Sequence, residues 1–531
     1  MASYINDLQR NMLPLWRNYE DTANARELEF DGQKVLPARF ERFNSFRDTW
    51  RAKHSIINAA DLVNAAVVSD NKQGLDVLDA AEYMLNHSEE CSPLALDVAR
   101  SIVEFPKSGI DIGMEKPLSF EMQAEELIHR LKSQEEGIKA RIGLLRKQVH
   151  SHCFNPIAYC ELARCYANLG MDEKAKKYMN YAVYLAPQSR YIARCAARFY
   201  VHINDFDRAK RILLDSGRVN IDPWVMSAEI AVESLMGRSS RYIKTGRKLV
   251  MSGNVSPFSS SELCFAICNE DRESGARKDA RIMYEKGIVD PNDNSLAQAI
   301  FFAKEDTNIN LDISSFNRVV HKHEAEMRKA IRLGDYQEAF IYSLKWMQDY
   351  RFEHRPIEFA FGLSCDYLKK YDYAIDIVER FLEFNPTDLA AINNKLYALG
   401  LSDKVEEAEI YINQVDIRRY LKDNISNGIC LIATYGLLQY RKGNIEEGRE
   451  LYNKAIEAAK KQNYKNLADK ARLNMIREEV HCVDEYDPAI LTEMESLNTG
   501  DLIETEQLKA DIRTELQKRE ERKAKESPYT A

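Results

Sequence analysis

Glycine and proline are scarce, at 21 and 14 of 531 residues. With few breakers and abundant Ala, Leu, Glu and Lys, the composition favours helix over strand and leaves little glycine for loops that cradle phosphate. The ten cysteines, at 91, 153, 160, 165, 195, 264, 268, 365, 430 and 482, include no Cys-x-x-Cys pair. Such irregular spacing in a long chain argues against a disulfide framework. Cys160, Cys165 and Cys195 sit within apolar helical patterns and read as buried free thiols of a reducing compartment. No run approaches the ~18 apolar residues that a membrane span requires. The opening MASYINDLQRNMLPLW lacks the apolar core of a secretory signal, so the expected location is the cytoplasm. No one charge dominates: 74 Lys and Arg face 83 Asp and Glu, a net charge of −9. That balance does not point to wholesale binding of nucleic acid.

Catalytic motifs are also missing. There is no G-x-x-x-x-G-K-[ST], G-x-G-x-x-G, H-E-x-x-H or G-x-S-x-G. The chain is therefore expected not to be an enzyme and to need no cofactor. His150, His152 and Cys153 in VHSHCF are the best metal candidates, but no fourth ligand is evident, and a helix end at a repeat boundary is the preferred reading. His321, His323 and Glu324 share that weakness, because positions i and i+2 lie on different helix faces. Cys264 and Cys268 are one turn apart on an apolar helix, which suits core packing. No metal site is expected.

What is present is helix, and it recurs. The length is well past the ~250–300 residues where one core stops growing, so several domains or an elongated array is expected. The clearest unit begins at Pro156 with PIAYCELARCYANLG followed by MDEKAKKYMNYAVYLAP. Tyr159, Leu162, Ala163 and Tyr166 form one stripe of its first helix; Gly170 makes the turn; Ala175, Met179 and Ala182 line the second helix; Pro187 ends it. Similar spacing returns from Arg190 (Ala196, Ala197, Tyr200, Ala209, Leu213), Val320 (Met327, Gly334, Tyr336, Ala339) and Arg355 (Phe361, Gly362, Tyr371, Ala374, Pro386). It returns again from Leu389 (Leu396, Val405, Ala408) and Ile429 (Tyr435, Gly436, Gly443, Tyr452, Ala455), and weakly near Ser261 (Ala280, Tyr284). Two of the intervals, 156 to 190 and 355 to 389, are 34 residues.

These units resemble the tetratricopeptide repeat, a helix–turn–helix of 34 residues. The resemblance covers about 156–460 and is clearest over 156–222, 320–415 and 429–460. It implies an all-α fold, a right-handed α-solenoid of such repeats, with the irregular stretch at 304–314 as a place where two sub-arrays can separate. The expected organisation is an N-terminal cap or docking element (1–55, with Trp16, Tyr19, Phe40, Phe43, Phe46 and Trp50) and degenerate repeats with a long helix (56–155). A first array (156–303) follows, its middle divergent around 224–253, then a second array with a capping helix (315–480). A charged helix and tail (481–531) close the chain and could pair with another chain.

The resemblance also implies a binding surface on the concave wall, lined by the first helix of each pair. Its exposed positions correspond to Arg164, Asn168, Tyr191, Arg194, Arg198, His202, Arg328 and Arg332. Arginine suits planar capture of carboxylate or phosphate, so an acidic or C-terminal segment of a partner protein is the expected ligand. The family's carboxylate clamp is not matched, since Cys160 and Arg164 stand at its places. Arg238, Arg241, Lys244, Arg247 and Lys248 form a second basic cluster, interleaved with Tyr242, that would suit phosphate contacts. The expected function is thus a protein-binding scaffold, adaptor or regulatory subunit. The alternatives are a nucleic-acid-binding repeat protein, or the accessory component of a bacterial nuclease or protease system. The latter rests on fold-level analogy alone.

Overall fold

The computed structural model describes residues 10–17, 38–69, 74–103, 119–151, 153–305, 311–316, 319, 321–349, 354–414, 425–500 and 502–526. Among these residues the secondary structure is helical and no strand occurs. The expected loop at 105–117, residues 306–310 of the 304–314 connection, Tyr19, His152 and the final tail at 527–531 fall outside the described residues. Contacts divide the chain into two compact units, 9–353 and 354–531.

The first unit opens with α1 (Ala38–Ala52), α2 (Ile56–Ser69), α3 (Leu75–Asn86) and α4 (Pro93–Val103), which pack in succession. Phe43 and Trp50, expected in a terminal cap, are buried here with Leu62, Val63, Val77, Met84 and Ile102. The long helix expected at 119–150 is α5 (Phe120–Ser151).

Helix pairs follow: α6 (Pro156–Asn168) with α7 (Asp172–Leu185), α8 (Arg190–His202) with α9 (Phe206–Asp215), α10 (Pro223–Leu235) with α11 (Ile243–Met251), and α12 (Pro257–Glu273) with α13 (Arg277–Gly287). Then come α14 (Asp293–Glu305) and the pair α15 (His323–Leu333) and α16 (Tyr336–Asp349).

Local chemistry fixes the repeat. The first helices α6, α8, α10 and α12 each begin at a side-chain cap: Asn155 accepts from the backbone N–H groups of Ile157 and Ala158, Ser189 from Ile192, Asp222 from Trp224, and Ser256 from Ser259. Asn292 does the same for Ser295. Proline at the first helical position adds to the signal at 156, 223 and 257, where its missing N–H costs nothing. The turn inside each pair places one residue at positive φ, as at Gly170 (64°) and Asn204 (60°). Glycine and asparagine tolerate that conformation best. The capping residues at 155, 189, 222 and 256 continue at repeat spacing through the middle, where the packing signature fades. Divergence there is in side chains, not in architecture.

First helices pack on one another in order, α6 on α8, α8 on α10, α10 on α12, α12 on α14 and α14 on α15. The long α5 touches α6 at one end of this row and α16 at the other. Phe120 lies 6.0 Å from Phe340, and Gln348 Nε2 donates to the carbonyl of Leu127 at 3.4 Å. The row of helices from 120 to 349 therefore closes on itself. Its inner wall is buried almost continuously, including every residue from Arg190 to Val201.

The second unit contains α17 (His354–Gly362), which runs into a π-helical turn at Leu363–Tyr367, then α18 (Tyr371–Phe384), α19 (Leu389–Leu401) and α20 (Val405–Gln414). It continues with α21 (Ile425–Arg441), α22 (Ile445–Lys461), α23 (Lys465–Cys482), α24 (Ala489–Ser496) and α25 (Leu502–Glu526). The expected capping helix, α23, is not terminal. Leu508 and Ile512 of α25 pack with Leu473, Ile476 and Val480, so the charged last helix is docked along one face.

Candidate functional site

The inner wall of the first unit holds most of the residues singled out from the sequence, and it binds them to carboxylates. Arg194 is buried, donates to Glu262 Oε2 at 2.8 Å, and lies with its guanidinium 4.7 Å from the Trp224 ring centroid. Arg164 and Arg141 both reach Glu161 Oε2, at 3.1 and 2.9 Å. The Tyr191 hydroxyl lies 2.9 Å from Glu161 Oε1. Arg328 donates to Glu324 at 2.9 Å and lies 5.4 Å from the Phe301 ring centroid. Arg198 is buried, His202 approaches Asp172 at 3.6 Å, Asn168 is half-buried and Arg332 is exposed.

The wall is thus an alternation of matched charges and not the basic surface expected. The buried acids on or capping its first helices are Glu161, Asp222, Glu229, Glu233, Glu262, Asp271 and Glu324, each under a tenth exposed. Burial raises the carboxyls of Glu229 and Glu262 above the usual range, against the pull of Ser240 on the first and of Arg194 and Asn292 on the second. In the sequence these acids stand inside otherwise apolar runs, as in AYCELARC and SSELCFAIC. A lone carboxylate on an apolar face was the available signal, because it needs a buried partner.

A second feature lies within the expected N-terminal cap or docking element, though its seat on the inner wall had no signal in the sequence. Residues 10–17, RNMLPLWR, lie extended across the inner wall. Arg10, Met12, Pro14 and Trp16 are buried while the residues between them are half-buried, the two-residue alternation of an extended chain. Arg10 forms a bidentate pair with Glu324, Nε to Oε1 at 2.7 Å and Nη2 to Oε2 at 2.8 Å. It also donates to Asn294 at 2.9 Å and Gln298 at 3.0 Å. Asn269 and Asn294 donate side-chain N–H groups to the backbone carbonyls of Arg10 and Leu13, at 3.2 and 2.9 Å. The Tyr191 hydroxyl is 3.2 Å from the carbonyl of Arg17, and the Arg17 guanidinium reaches Asp293 at 2.5 Å. Trp16 is 2% exposed and meets Phe199 edge-on at 5.9 Å.

The second basic cluster lies on and before α11, on the outer row of helices. Arg241 stacks on Tyr242 at 4.8 Å and donates to its hydroxyl, and Arg247 pairs with Asp271 at 2.6 Å. Arg238, Lys244 and Lys248 are exposed. The five residues are neighbours in the sequence, and Arg247 reaches Asp271 on α12.

The second unit has its own buried polar network. Glu478 accepts from Arg441 at 2.6 Å and Arg477 at 2.8 Å, and Arg477 also donates to Tyr397 at 3.2 Å. Asn474 accepts from Tyr397 at 3.1 Å, Asn393 accepts from Thr434 at 2.7 Å, and Lys470 pairs with Glu504 at 2.7 Å. Cys160, Cys165, Cys195, Cys264, Cys268 and Cys365 are buried free thiols, and burial pushes those of Cys264 and Cys268 up to about 12. Among the described residues no group of three or more His, Cys, Asp or Glu is placed to hold a metal ion. Among the same residues no helix is long and apolar enough to cross a membrane.

Capped helix pairs at a period of about 34 residues, stacked first helix on first helix, define a helical repeat protein. Residues 157–189 match the family model of the tetratricopeptide repeat. No curated protein sequence matches the chain. The chain is a helical repeat protein with a tetratricopeptide repeat at 157–189, and repeats of that type serve in general as platforms for protein interaction.

Proposed function

We propose that this chain is a scaffold or regulatory subunit that engages a partner protein through the inner surface of its repeats, and that it is not itself an enzyme. The supporting observation is the seating of residues 10–17. The wall grips an extended backbone by its carbonyls, through Asn269 and Asn294, and reads side chains through acidic and aromatic pockets. Backbone grips are indifferent to sequence, and pockets at alternate positions supply selectivity. Because Arg164, Arg194 and Arg328 are each matched by a carboxylate, an extended cationic and aromatic segment suits this wall better than the acidic one expected from the sequence. Asn168, Arg198, His202 and Arg332 are the remaining proposed contacts along the same helices.

The test is stoichiometric capture by the tagged full chain, followed by cross-linking mass spectrometry. Cross-links from a defined partner to the first helices 156–168, 190–202 and 323–333 are expected. A partner linked only to the outer helices would overturn the reading.

A second reading has one observation in its favour. Helix Ile243–Met251 carries Lys244, Arg247 and Lys248 and no acidic residue, beside exposed Arg238 and Arg241. Contact with nucleic-acid phosphates there would give an affinity falling steeply with salt, by about 0.7–0.9 log units per contact for each decade of salt. A flat salt response would remove it.

A further inference from the structure

We propose that residues 10–17 are a built-in, exchangeable ligand of the first unit's inner channel. They hold the place of an extended partner peptide that carries an arginine and, six residues later, a tryptophan. This rests on the scaffold reading and gives its ligand a chemistry.

The wall does not need the segment in order to be a wall. Its helices pack on one another in an unbroken row, and α5 bridges the two ends of that row. The segment contributes no helix to it and comes from far away in sequence, 259 to 314 residues from Asn269, Asn294 and Glu324. The chain connects the segment to α1 through residues 18–37.

The arginine pocket is built to outlast its occupant. Glu324 presents both oxygens to Arg10, yet it also holds Arg328 at 2.9 Å. Departure of Arg10 therefore leaves that carboxylate paired. Glu161, beneath the Tyr191 hydroxyl that faces the Arg17 carbonyl, likewise keeps Arg141 and Arg164. A contact that existed only to complete a core would leave bare charges on leaving, at a high cost. Asn294 makes a double grip, its amide oxygen accepting from Arg10 and its amide nitrogen donating to the Leu13 carbonyl. Any extended peptide with arginine in that register can satisfy both. At the other end Trp16 inserts against Phe199, a large rigid anchor of the kind that dominates peptide affinity.

Tethering makes the segment a strong competitor. A cis ligand at an effective concentration of about 1 mM weakens a free peptide of about 10 μM affinity by about 100-fold. The channel is then closed to weak ligands and open to tight ones.

The experiment uses the full chain and a fluorescent synthetic peptide of residues 8–19, LQRNMLPLWRNY. Binding is followed by anisotropy, with wild-type chain and with chain carrying Arg10→Glu and Trp16→Ala. The substituted chain is expected to bind the peptide one to one, about 100-fold more tightly than wild type. A peptide bearing the same two substitutions is expected to show no saturable binding. If the substituted chain loses helical circular dichroism and added peptide restores it, the channel is still a peptide site and the proposal stands. Three results overturn it: the substituted chain folds but does not bind, both chains bind equally, or the substituted chain unfolds and peptide does not restore it. Failure of the scaffold reading looks different, since wild-type chain would then yield no cross-links from a partner to the first helices whatever the peptide does.

Discussion

Arg194→Met separates a buried structural ion pair from a free binding cation. Arg194 and Glu262 lie on helices 68 residues apart, and their side chains are 7% and 2% exposed. Removing one partner of such a pair strands a charge and costs about 3–5 kcal/mol. Asn292 still donates to Glu262 at 2.9 Å, which argues for the lower end of that range, about 3 kcal/mol. With a urea m-value near 3 kcal/mol per M, the midpoint falls by about 1 M. Trp16, Trp50, Trp224 and Trp346 are the chain's four tryptophans and all lie within 9–353, so tryptophan fluorescence follows the first unit alone.

The control is Arg281→Met, where both partners of the Arg281–Glu285 pair are largely exposed and a change of no more than about 0.5 kcal/mol is expected. The double variant Arg194→Met, Glu262→Leu recovers most of the loss, because an apolar pair carries no charge into the interior. Acidity supplies a further check. Burial already holds the Glu262 carboxyl above its usual range, and Arg194 opposes that rise. Without Arg194 the folded-state value climbs further. A carboxyl raised in the fold destabilises it when ionised, and the penalty fades as pH falls through the folded-state value. The deficit of Arg194→Met is therefore largest near pH 8 and shrinks toward pH 5. An Arg194→Met chain no less stable than the Arg281→Met control, or a double variant worse than the two single changes summed, would refute the reasoning.

Asp366→Asn should stabilise the second unit near pH 8 by about 1–3 kcal/mol, because burial pushes the carboxyl up to about 6 against Lys470 and Lys369. The gain should shrink as pH falls below about 6 and vanish only by about pH 3, below both the folded and the ordinary unfolded values; hydrogen exchange of 371–384 and 465–482 reports it. Gly436→Ala should destabilise the α21–α22 pair by about 1–3 kcal/mol, since the added methyl would stand 2.7 Å from the Tyr452 ring and 3.1 Å from the Gly448 carbonyl. Limited proteolysis between 425 and 461 would show it, and unchanged cleavage would contradict the packing. Hydrogen bonds from His481, at 2.8 Å, and from Lys518 hold Glu515 down to about 2. A depressed carboxylate stabilises above its unfolded value and loses that contribution as pH falls through the folded one. Docking of α25 on α23 should weaken between about pH 4.5 and 2, and Glu515→Gln should flatten that dependence in hydrogen exchange of 502–526.

The sequence by itself determined the helices and their pairing. Caps such as Asn155-Pro156 and Asp222-Pro223, turn residues such as Gly170, and small residues such as Ala163, Ala175 and Ala182 act within one repeat, where cause and effect are close in the chain. Even the divergent middle obeys them, because capping requires only local hydrogen bonds. Tertiary structure alone decided the sign of the inner wall. Arg194 looks like a free groove cation until Glu262 arrives from two repeats away, and Glu324, one turn from Arg328 on the same helix, is shared with Arg10 only in the fold. It also decided that α5 joins both ends of the row of helices in the first unit, and that residues 10–17 lie across that row's inner wall. Both depend on contacts that can be more than two hundred residues apart in the chain. Such contacts follow from how the helices stack: Arg164–Glu161 and Arg328–Glu324 lie within one helical turn, whereas no short-range pattern encodes that Arg194 meets Glu262 or that Arg10 meets Glu324.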